Sequence, residues 1–191
     1  SAFELQLDFK VSEGGNSAFT VTLSSASALP VTVNLNAASG TATLGDDFNA
    51  PVSPLIIAPL QTSASFNVAT INDQLDEENA ETFTITLASP LNATLGANSV
   101  GTGTINDNDN APSITIVGAS VVEGDTGTTT VSFPLTLSAV SGRNLSFTAR
   151  ITVVSADVVR YFIALAPTVI TIPAGSLPAN VNVDVVNETT H

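Results

Sequence analysis

The chain contains no cysteine, no methionine and no tryptophan, a single tyrosine, and only four lysines and arginines in 191 residues. Without cysteine there is no disulfide framework and no thiolate metal site. The cations Lys10, Arg143, Arg150 and Arg160 stand against 17 acids, for a net charge of -13. Such a chain is repelled by phosphate backbones and anionic headgroups, which excludes nucleic acid as a partner and disfavours membrane surfaces. No apolar run reaches the roughly 18 residues of a membrane-spanning helix, so no membrane insertion is expected. The one histidine, His191, is the last residue, and hydroxyl nucleophiles therefore lack an activating base. Carboxylate pairs such as Glu78 and Glu81 could cleave a glycoside in principle, but sugar sites usually include aromatic platforms, and the chain has one Tyr and no Trp. The chain is expected not to be an enzyme. The lack of cysteine does not fix the compartment. Scarce lysine with abundant Ser, Thr, Asn and Ala fits an extracellular, cell-surface protein, and Ser1 opens directly into strand-like sequence, as expected where any leader has been removed or was never included.

What is present alternates. Phe3, Leu5, Leu7, Phe9 and Val11 occupy every second position, and the same period recurs at Phe19/Val21/Leu23, Val31/Val33/Leu35, Phe66/Val68 and Phe83/Ile85/Leu87. Period 2 predicts strands with one buried face. Turn signals such as "SEGGNS", "TLGDDFNAP" and "LGANS" separate them. Many short strands without a helical period predict an all-β, immunoglobulin-like β-sandwich. Hydrophobic content of 43% is ample for a core.

The pattern occurs twice. "VSEGG" at 11–15 returns as "VVEGD" at 121–125, and "LIIAPLQTSASFNVATIN" (55–72) aligns without a gap to "ITIPAGSLPANVNVDVVN" (170–187). Two tandem domains are expected, 1–110 and 111–191, divided within "NDNDNAPS". The second lacks counterparts of the last two strands of the first. It is expected to be incomplete by about two strands, through a cut or because another subunit supplies them. Sequons at Asn92, Asn144 and Asn187 are of the kind that a chain rich in Asn, Ser and Thr produces by chance.

Twelve of the 17 acids lie in the first copy, and ten of those twelve fall in turns. Asp73, Asp76, Glu77, Glu78 and Glu81 crowd five carboxylates into nine positions with no cation among them. Each such pair at 4 Å costs roughly 1 kcal/mol in water and about 4 at a protein surface. Loops at strand ends converge at one pole of a sandwich. Ca²⁺, which takes six to eight oxygens at roughly 2.3–2.6 Å, would turn that repulsion into a cross-link.

"VSEGG", "GTATLGDDF" (40–48), "INDQLDEENAETF" (71–83) and "GTGTINDND" (101–109), in this order, resemble the Calx-beta domain family. The resemblance implies a seven-stranded immunoglobulin-like sandwich that binds Ca²⁺ through loops at one end. Such domains occur in sodium–calcium exchangers and, as tandem arrays, in bacterial surface proteins and adhesins. It further implies that Glu13, Asp47, Asp73, Glu78, Asp107 and Asp109 match the calcium ligands, with Asp46 as an addition and Glu81 as a family acid of less defined role. Gln74 stands where the family often has a second Asp, and Asn108 interrupts the terminal acidic triplet. Both lower the site's charge, so one or two ions are implied rather than four. In the second copy Glu123 and Glu188 match Glu13 and Asp73, but "VVRYFI" (158–163) replaces the acidic loop, and calcium is not expected there.

The resulting expectation is a calcium-binding structural or adhesion module, a tandem segment of a larger surface protein. In it Ca²⁺ stiffens the first domain and the junction, and the partners are calcium ions and neighbouring repeats or other surface proteins. Two alternatives stand beside it: a subunit of an extracellular filament assembled by strand complementation, and a calcium-sensing domain of exchanger type. Arg143 and Arg150 read most simply as surface charges, and Tyr161 and Phe162 as core or boundary aromatics.

Overall fold

β-branched and aromatic side chains pack well on a pleated, half-buried surface, and the described residues fold as strands joined by turns. The computed structural model describes residues 2–5, 9–122, 124–152, 167–178 and 180–187. Glu123, Arg160, Tyr161, Phe162, Glu188 and His191, with Leu7 and Asp8, lie outside the described residues. Among those described there are fifteen strands, and no helix long and apolar enough to cross a membrane. The chain forms two units. One comprises the residues up to Gln74 with Glu78–Asn108, the other Leu75–Glu77 with Asp109 onward.

The first unit is a two-sheet sandwich. Its four-stranded sheet has the order β6 (Ser63–Ala69), β3 (Asn16–Leu23), β1 (Ala2–Leu5), β8 (Thr94–Leu95). The five-stranded sheet has the order β2 (Phe9–Ser12), β9 (Val100–Asn106), β7 (Glu81–Leu91), β4 (Val31–Ser39), β5 (Leu55–Ile57). Alternation along each strand sends Phe19, Val21, Phe66 and Val68 from the first sheet, and Val31, Val33, Phe83, Ile85 and Leu87 from the second, into one core. Phe48 stacks on Phe83 with ring centroids 4.3 Å apart, and Phe83 meets Phe19 edge-on at 6.1 Å. Such ring pairs add about 0.5–1.5 kcal/mol beyond the area they bury. Gly103 lies opposite Phe83 in the ladder, where a Cβ would stand 2.2 Å from the ring, so only glycine admits it.

One expectation is revised. The alternating run Phe3–Val11 is not a single strand, because its two ends join different sheets. β1 pairs antiparallel with β3 and parallel with β8, whereas β2 pairs parallel with β9. At the margin of a sandwich backbone groups can be satisfied against either sheet, and the two ends of this run take one sheet each.

Among its described residues, the second unit repeats pairings of the first in three two-stranded sheets. β11 (Thr128–Phe133) pairs antiparallel with β15 (Val181–Val186), as β3 does with β6. β13 (Leu145–Ala149) pairs with β14 (Thr168–Ile172), as β4 does with β5. β10 (Ile114–Ile116) pairs with β12 (Leu135–Leu137), as β1 does with β3. Pro134, which has no N–H to donate, separates β11 from β12. Val131, Leu135, Ile172, Val181, Val183 and Val185 are buried. Arg143 is not a simple surface charge. Its Nη2 pairs with Oδ1 of Asp76, and its Nε donates to Oδ2 at 3.3 Å. Asp76 is only 3% exposed and also accepts from Ser141 Oγ at 3.0 Å, while its carbonyl accepts the Gly142 N–H at 2.9 Å. A Cβ on Gly142 would lie 2.9 Å from Cγ of Glu77, so the glycine lets Leu75–Glu77 seat closely.

Candidate metal site

Register places the acidic loops of the first unit together. Ser12 at the end of β2 lies beside Asn106 at the end of β9, and Asn16 at the start of β3 beside Ala69 at the end of β6. Ser39 at the end of β4 opposes Phe83, and Glu81 at the start of β7 opposes Ile105. The loops that leave these six strand ends hold Glu13, Asp46, Asp47, Asp73, Glu78 and Asp107, with Glu81 heading β7.

Backbone hydrogen bonds lace the loops to one another. The N–H of Glu13 donates to Asn106 O at 3.1 Å, that of Thr70 to Gly15 O at 2.9 Å, and that of Ile71 to Asp47 O at 2.8 Å. The buried Thr70 hydroxyl lies 3.2 Å from Ser12 O and 3.0 Å from Gly15 O. Within the 43–47 turn, the Asp47 N–H donates to Thr43 O, and the Thr43 N–H donates back to Oδ2 of Asp47. This fixes the half-buried Asp47 side chain.

Two carboxylate pairs result. Oxygens of Glu13 and Asp73 lie within 4.8 Å of each other, as do oxygens of Asp47 and Glu81. Two oxygens that share one Ca²⁺ at 2.3–2.6 Å can be separated by no more than about 5 Å, so either pair fits a common ion. The donors are all hard carboxylate oxygens, and Oε2 of Glu13 is shut off from solvent. Burial, and then the negative charges of Asp47, Asp107 and Glu78, push the Glu81 carboxyl above its ordinary value of 4.5. Acids from three loops therefore act on the one that heads β7.

Of the eight acids named from the sequence, the structure gathers Glu13 with Asp73 and Asp47 with Glu81, and the charges of Asp107 and Glu78 act on Glu81. Asp46 is exposed and joins neither pair. Asp109, half-buried, begins the main stretch of the second unit. Of the neighbours Glu77 and Glu78, Glu77 is the half-buried one and Glu78 is exposed. The sequence marks Asn108 as a break in the acidic triplet that can offer an amide oxygen, whereas the structure shows Asn108 and Asn72 donating through nitrogen. Asn108 Nδ2 lies 3.3 Å from Glu13 O and 3.1 Å from Asn72 Oδ1, and Asn72 Nδ2 donates to Asp73 O at 3.0 Å. The repeat held a signal for one of them. Asn72 aligns with Asn187, whose amide bonds Thr126 O and the Thr129 hydroxyl in the second unit.

The fold and the acid-tipped pole define a class: a tandem immunoglobulin-like β-sandwich with carboxylates gathered at one end of its first domain. The Calx-beta domain family matches residues 3–109. The chain belongs to the Calx-beta family. Among solved structures it is similar to the apo-form CBD1 domain of Calx, with 24% identity and a TM-score of 0.50 over 57% of this chain and all of that one. It is also similar to the CBD12 from CALX1.2, with 17% identity and a TM-score of 0.54 over 97% of this chain and 75% of that one. A third is the calcium binding domain CBD12 of CALX1.1, with 18% identity and a TM-score of 0.54 over 95% of this chain and 74% of that one. No curated protein sequence matches the chain.

Proposed function

We propose that the first unit binds calcium through Glu13, Asp47, Asp73, Glu81 and Asp107, with Glu78 adding charge, and that the chain is a calcium-stiffened structural module of a larger extracellular surface protein. The observation that carries this reading is the approach of carboxylate oxygens of Glu13 and Asp73, and of Asp47 and Glu81, to within 4.8 Å of each other. Like charges held together cost stability unless a proton or a cation joins them, and near neutral pH a cation is the stronger remedy. Family membership supports calcium as that cation, and the all-carboxylate donor set suits a hard ion. Placement outside the cell rests on composition, with no cysteine and a single lysine, Lys10. The ion would order the loops between the strand ends and the segment that leaves β9. Thermal melting in calcium and in EGTA tests the reading. At a hundredfold its dissociation constant the ion adds about 2.7 kcal/mol, a rise of roughly 10–20 °C for a domain of this size. Magnesium, which demands a tight octahedron and keeps its waters, should give much less. A transition unmoved by calcium would count against the reading.

One observation favours a second reading, assembly by strand complementation. β4 has β7 on its far side, whereas its counterpart β13 has, among the described residues, only β14. An extended strand from a neighbouring subunit would complete that sheet. Size-exclusion chromatography decides it, since a monodisperse monomer at high concentration speaks against assembly.

A further inference from the structure

We infer that Asn108 is a positioning residue that holds the acidic loops of the first unit together before any ion arrives. This rests on the calcium reading for its purpose, but not for its geometry. Asn108 Nδ2 faces two acceptors on different loops, the Glu13 carbonyl between β2 and β3 at 3.3 Å and the Asn72 side-chain oxygen after β6 at 3.1 Å. The orientation of both amides is fixed by chemistry. A backbone carbonyl only accepts, so the Asn108 atom beside Glu13 O is nitrogen, and so is the Asn72 atom beside Asp73 O. Asn72 in turn lies against Gly14, where a Cβ would stand 3.0 Å from Cβ of Asn72, so the "EGG" turn is seated on this asparagine. One uncharged donor thus links the chain at Glu13, Asn72–Asp73 and the end of β9.

An aspartate at 108 would place a carboxylate oxygen against two acceptor oxygens and beside Glu13 and Asp73. That arrangement is repulsive without a cation and is relieved by one. The asparagine therefore exchanges a share of the site's charge for order in the metal-free state.

The test is thermal melting of the full chain and of Asn108→Ala and Asn108→Asp, each in EGTA and in calcium. In EGTA, Asn108→Ala should melt about 3–5 °C below wild type, from the loss of two partly exposed hydrogen bonds. Asn108→Asp should melt lower still, and its calcium-induced rise should exceed that of wild type. Hydrogen exchange at the Glu13 and Ile71 amides should accelerate in both variants without calcium. If both variants match wild type in EGTA, in melting and in exchange, the inference is overturned. If they fall as stated in EGTA but no protein responds to calcium, the brace stands and the calcium reading fails.

Discussion

Glu81 shows how a single residue reports on the site. Its carboxyl is pushed above 4.5 by burial and then by Asp47, Asp107 and Glu78. The folded apo domain therefore holds that proton more tightly than the unfolded chain does. For a carboxyl raised in this way, the folded state binds more protons between the unfolded and folded values, so its contribution to stability rises as pH falls and is lost as pH climbs through the folded value. Urea melts in EGTA between pH 7 and pH 4.5 should show the wild type gaining on Glu81→Gln as the solution is acidified. Saturating calcium should remove that gain, because the ion then compensates the charge. A difference independent of pH would mean that Glu81 does not feel its neighbours. Residue chemistry was only partly legible in the sequence. That most acids of the first copy fall in turns was plain from the period. Which of Glu77 and Glu78 is half-buried was not, since turns carry no period. Nor could Asn108 be assigned as a donor, because an amide offers oxygen and nitrogen equally until its neighbours are placed.

At the scale of elements, alternation exposed β3, β4, β6 and β7 directly, since each buries one face and every second residue announces it. The division of the first strand was hidden, because both sheets ask the same period of it. The acidic run 73–81 was hidden in another way, because its middle serves a different purpose from its ends. Asp76 is held in the second unit by Arg143 and Ser141, partners far along the chain that no local pattern predicts. The pairing is asymmetric. Arg143 is 31% exposed and Asp76 is 3% exposed, so loss of the arginine strands a buried carboxylate, whereas loss of the acid frees a guanidinium that water can reach. Arg143→Met should therefore destabilise the second unit by about 2–3 kcal/mol and Asp76→Asn by about 1 kcal/mol. Denaturant unfolding, with hydrogen exchange at the Gly142 amide that donates to Asp76 O, measures both. Equal costs would show that desolvation of the carboxylate is not what the arginine offsets.

For the whole molecule, the repeat was legible because two copies of one apolar pattern share strand pairings, β3–β6 with β11–β15 and β4–β5 with β13–β14. The copies differ in their loops, and only the first collects carboxylates from Glu13 to Asp107 at one pole among the described residues. Everything functional rests on that pole taking up a cation. A crystal structure of the chain grown in calcium is the most direct measurement. It should show an ion coordinated at about 2.3–2.6 Å by oxygens of Asp47 and Glu81, or of Glu13 and Asp73. Well-ordered loops with water alone between those carboxylates, at millimolar calcium, would contradict the account.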